Sequence, residues 1–88
     1  MDELICEINQ LENNNIRLEL FYKNNFVGVM YFTLGKVGFN RKPLSINNWI
    51  CVDAKIFGLY DYIDTDPSEL VNFARNKIQN YLTNLNNK

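Results

Sequence analysis

The side chains able to do chemistry are few and scattered. Cys6 and Cys51 are the only thiols, Ser45 and Ser68 the only serines, and the chain has no histidine. Without the commonest general base, no hydroxyl or thiol has an activating partner. The two cysteines stand far apart and fit no metal-ligand spacing. They are expected to be small, reduced core residues, with a disulfide as the alternative. Asp61, Asp64 and Asp66 form the densest carboxylate group. A calcium loop needs a tighter ligand series with a glycine at its turn, so structural use or an acidic contact surface is expected instead. No carboxylate pair has the glycine-rich or apolar surroundings of an acid–base site. The chain is therefore expected to be non-enzymatic, with no metal and no cofactor.

A second group is basic. Lys36, Arg41 and Lys42 surround Phe39 in a segment that also holds Gly35, Gly38 and Pro43. Glycines free the backbone to approach phosphates and cations neutralise them, so this loop is a candidate nucleic-acid contact. Three cations would give only weak affinity, and the spacing lacks the Gly-Lys-Ser/Thr ending of a phosphate-binding loop. Ten acidic residues against nine basic ones leave a net charge of −1, unlike a chain wrapped on nucleic acid.

These groups must be positioned by a small set of elements. Eighty-eight residues suffice for one domain spanning 1–88 and one hydrophobic core. Residues 2–12 are expected to form a helix, because Leu4, Ile5, Ile8 and Leu11 share one sector at 100° per residue. The alternative is a strand with Leu4, Cys6 and Ile8 on one side. Ile16 to Lys23 and Phe26 to Leu34 alternate as two strands, joined by a predicted type I′ turn at Asn24-Asn25. Strand pattern resumes at Trp49, and residues 38–46 are a candidate edge strand. Asp66 as N-cap, Pro67 at the first helical position and Glu69 two residues later announce a C-terminal helix. The expected fold is α+β, ordered α-β-β-β(-β)-α, with an antiparallel sheet packed by an N-terminal and a C-terminal helix.

A two-residue turn fixes the register. With the turn at Asn24-Asn25, Tyr22 faces Val27, Leu20 faces Val29, Leu18 faces Tyr31 and Ile16 faces Thr33. Leu18, Leu20, Val29, Ile50, Val52 and Ile56 are then the expected core face. The reverse face would carry Phe21, Phe26, Met30, Phe32, Trp49 and Phe57 beside Arg17, Lys23 and Lys55. A solvated face would alternate to polar residues, and an apolar patch of that size marks an interface. Phe21, Phe26, Phe32, Trp49 and Phe57, with Lys36, Phe39, Arg41 and Lys42, are thus the expected partner-binding residues. Homodimerisation, a different protein partner and stacking of unpaired bases are the ways to use such a face; the first helix crossing to cover it is the way to lose it.

The N-terminus lacks the basic start and apolar run of a secretory signal, and no stretch approaches a membrane span. A cytoplasmic protein is expected. Asparagine occurs fifteen times, at turns and on the helix surface alike. With Asp2-Glu3-Leu4-Ile5, the Asn24-Asn25 hairpin and the missing catalytic set, this resembles the small phage-encoded anti-CRISPR and other anti-defence proteins. That resemblance implies a stoichiometric inhibitor acting in the host cytoplasm on a larger protein. The alternative is a small nucleic-acid binder using loop 36–42 and the aromatic sheet face.

Overall fold

A computed structural model describes residues 3–35 and 49–86 of the chain. Four strands and one long helix follow each other: β1 Leu4–Leu11, β2 Asn15–Tyr22, β3 Asn25–Leu34, β4 Trp49–Ile56 and α1 Pro67–Asn86. The strands form one antiparallel sheet in sequential order, β1-β2-β3-β4. The expected N-terminal helix is not there. Residues 4–11 are a strand paired with β2 along its whole length, from Leu4 opposite Tyr22 to Leu11 opposite Asn15. Both readings of the sequence place Leu4 and Ile8 on a common side. A hairpin partner decides between them, because β2 offers Leu18 and Leu20 to Ile8 and Cys6 across the ladder. The described residues form an α+β fold with a single α-helix, at the C-terminal end.

Two turns shape the meander. Asn13 and Asn14 adopt φ of 60° between β1 and β2, which asparagine tolerates better than most residues. The β2–β3 turn falls on Lys23-Asn24, at φ 50° and 70°, one residue before the expected Asn24-Asn25. Tyr22 therefore pairs with Asn25 and Phe21 with Phe26. Between Leu20 and Phe21 the register shifts, and Leu20 meets Gly28, leaving Val27 as the extra residue of a bulge. Beyond it each β3 side chain lies on the face opposite to the expected one. Met30 and Phe32 turn into the core, whereas Val29 and Tyr31 turn away. A second shift between Tyr31 and Phe32 leaves Val52 unpaired in β4. That bulge brings Trp49 and Cys51 to the core side with Ala54 and Ile56, and it exposes Ile50 and Val52.

The core lies between one sheet face and α1. Ile16, Leu18 and Leu20 from β2, Met30 and Phe32 from β3, and Trp49 meet Leu70, Ala74 and Ile78 of the helix, with Leu59 filling the approach. Asp66 caps α1, its Oδ1 accepting the Glu69 N–H at 2.9 Å. Thr65 donates its hydroxyl to Glu69 at 2.9 Å, completing a box around the first turn. Arg75 ties the helix to β4 by donating from Nε to the Trp49 carbonyl at 2.8 Å. Residues 59–61 form a 3₁₀ turn whose Gly58 start requires φ of 76°. The candidate edge strand at 38–46 lies outside the described residues.

Candidate functional site

Among the described residues only one side of the sheet carries a helix, so the site is built from the side chains on the other. Antiparallel register places them in rungs across the strands. Ile5, Phe21 and Phe26 make the first. Glu7, Glu19, Val29 and Lys55 make the second, and Asn9, Arg17, Tyr31 and Asp53 the third. Leu11, Asn15, Thr33 and Ile50 close the far end.

The first rung is an aromatic corner. Phe21 and Phe26 meet edge to face with centroids 5.6 Å apart, the arrangement favoured by ring quadrupoles. Phe57, just after β4, joins Phe26 at 5.8 Å; its backbone N–H donates to the Val27 carbonyl at 2.7 Å. These rings remain in solvent: Phe26 is 45% exposed, Phe57 54% and neighbouring Ile5 54%. Leu11 and Ile50 add exposed apolar surface at the opposite end.

The middle rungs are charged. Arg17 Nη2 approaches Glu19 Oε2 at 3.7 Å along β2, while Glu7 sits directly across from Glu19, a like-charge pair. Among the described residues, Arg17 Nε is buried with no hydrogen-bond partner. A shallow groove of about 440 Å³ runs beside this region, lined by Leu11, Tyr31, Val52, Asp53 and Lys55 among others. It offers one carboxylate and one ammonium. Among the described residues no three His, Cys, Asp or Glu side chains come together to hold a metal.

Four of the nine expected binding residues lie outside the described residues: Lys36, Phe39, Arg41 and Lys42. Phe21, Phe26 and Phe57 share the open face as expected. Phe32 and Trp49 do not: at 1% and 6% exposure they belong to the core, carried there by the two bulges. Ile5, Leu11, Tyr31 and Ile50 join the open face in their place; Val29 lies on the same side of the sheet but is buried at 7% exposure. The alternation of Leu4, Cys6 and Ile8 was the one signal for the β1 pair; nothing in the sequence marks the bulges.

The thiols sit on the helix side of the sheet. Burial pushes the Cys6 thiol up to about 11, against a smaller opposing pull from Lys77. Cys51 is raised mainly by burial too, although its Sγ lies 3.5 Å from the Asp53 carbonyl oxygen. They occupy the two outer strands, which lie about 14 Å apart at the usual strand spacing, and at different levels along them. A disulfide is out of reach. Nor is either a depressed, nucleophilic thiolate.

No family model, curated protein or solved structure matches the chain. No helix among the described residues is long and apolar enough to cross a membrane.

Proposed function

We propose that the protein is a non-enzymatic, protein-binding module that docks through the open face of its sheet. One observation carries the reading: Phe26 packs against both Phe21 and Phe57 on a face that α1 does not cover, and two of the three stay about half exposed. Clustered rings of this kind supply most of the energy of protein interfaces once desolvated. The charges beside them set orientation and encounter rate more than affinity. Stoichiometric inhibition of a larger host or defence protein in the cytoplasm, as the resemblance to phage anti-defence proteins implies, is one form of this activity.

The test is a Phe26→Ser/Phe57→Ser double variant of the full chain. It is expected to keep its circular dichroism spectrum and lose association, whether with its own kind or with a protein that copurifies stoichiometrically. Equal association by the variant, or no association of any kind by the wild type, overturns the reading.

Exposed rings also favour stacking of unpaired bases. The face opposes it with Glu7, Glu19 and Asp53 against Arg17 and Lys55, and a phosphate chain needs the reverse balance. Low-salt gel shifts with single- and double-stranded probes are expected to show no retention; a retained probe favours the nucleic-acid reading instead.

A further inference from the structure

The outer charges of the second rung on the open face are arranged to complement themselves. Across the second rung the order is Glu7, Glu19, Val29, Lys55: acidic on the β1 side, basic on the β4 side. The third rung reverses it, with Arg17 towards β1 and Asp53 on β4. A two-fold axis parallel to the strands lays β1 over the β4 of a second copy and keeps every rung over its own counterpart. Glu7 then meets the partner's Lys55, and symmetry repeats the contact. Arg17 lies over the partner's Tyr31, a cation–ring contact. Phe21 faces the partner's Phe26, and Ile5 the partner's Phe57. Ring meets ring, and the Glu7–Lys55 contact, made twice, joins opposite charges, while Glu19 and Asp53 face the partner's Val29 and the partner's Asn9.

We infer that the occupant of the open face is a second copy of this chain, packed sheet to sheet as an isologous dimer about that axis. This rests on the proposed docking role of the face and names its partner. Aligned sheets pack in this way about 10 Å apart with strands some 30° from parallel. Four strands of about eight residues span a footprint on the order of 500 Å². Side-chain relief raises that towards the roughly 800 Å² per partner of a stable interface. An axis across the strands also joins opposite charges, but it sets Phe21 and Phe26 on the partner's Asn15 and the partner's Thr33. The parallel axis keeps the rings together.

Sedimentation equilibrium of wild type, Glu7→Lys, Lys55→Glu and the double reversal decides the matter. The wild type is expected to dimerise. Each single reversal places two like-charge contacts in the interface and is expected to raise the dissociation constant about tenfold or more. The double reversal restores it to within about threefold. Glu7→Lys also relieves the repulsion from Glu19, so its monomer melts no lower than the wild type and unfolding does not account for lost dimerisation. A monomeric wild type overturns the dimer, as do single reversals without effect or a double reversal without rescue. In each case the docking role of the face survives if Phe26→Ser/Phe57→Ser still loses a different protein partner, and falls if it does not.

Discussion

Cys6 and Gly28 show how little freedom individual positions have once the sheet is covered on one side. The Cys6 thiol is held neutral to about pH 11 by burial, whereas in the unfolded chain it ionises near its ordinary value. Between those two values the folded state holds the proton that the unfolded state has lost, so stability falls as pH rises. Denaturant titrations at pH 8 and pH 11 are expected to show a loss of roughly 2 kcal/mol or less from this group, and Cys6→Ala removes that part of the pH dependence. Gly28 is fixed by space rather than by dihedral angle. A Cβ there would stand 2.9 Å from the Lys55 carbonyl oxygen and 2.9 Å from Ile56 Cδ1. The side chain can turn away, but the backbone oxygen belongs to the β3–β4 ladder. Gly28→Ala is expected to cost about 1 to 3 kcal/mol in chemical denaturation, with a local rise in amide exchange along β4.

The elements differ in how openly the sequence declares them. The helix start is written in Asp66, Pro67 and Glu69, each a residue whose chemistry suits one place in a first turn. The hairpin of β2 and β3 is equally legible from alternation around Asn24-Asn25. Its register is not, because the turn can slide one residue at little cost and a bulge needs no particular residue type. The bulge alone moved Met30 and Phe32 from the open face to the core and left Phe21 and Phe26 in place. The first strand stayed hidden for a different reason: Leu4, Ile5, Ile8 and Leu11 suit a helical stripe, while Leu4, Cys6 and Ile8 suit an alternating face. Only a partner strand chooses between them. The turn itself retains strain, with Lys23 at φ 50°, which costs an L-residue with a side chain more than it costs glycine. Lys23→Gly is therefore expected to stabilise the hairpin by up to about 1 kcal/mol, minus the small loss of the exposed Lys23–Glu3 pair at 3.6 Å. Thermal melting measures the difference.

At the scale of the whole molecule the two sheet faces do different work, and paired substitutions separate them. Trp49 fills the core at the start of β4, where Arg75 also anchors the helix. Trp49→Ala is expected to cost about 3 to 5 kcal/mol and to abolish any binding by unfolding the chain. Phe57→Ser removes an exposed ring and is expected to change stability by less than about 0.5 kcal/mol while weakening association. Equal effects of the two on stability would mean that the face is not divided from the core in this way. The sheet ends as well as its faces matter. β4 is kinked by its bulge at Val52, but β1 pairs with β2 through eight residues without interruption, and its outward amide and carbonyl groups meet no further strand among the described residues. Proline, lysine and irregularity are what ordinarily blunt such a border, and β1 has none of them. Concentrated samples will therefore extend ribbons from this margin first, and a single lysine at Asn9 is the economical way to keep preparations clear.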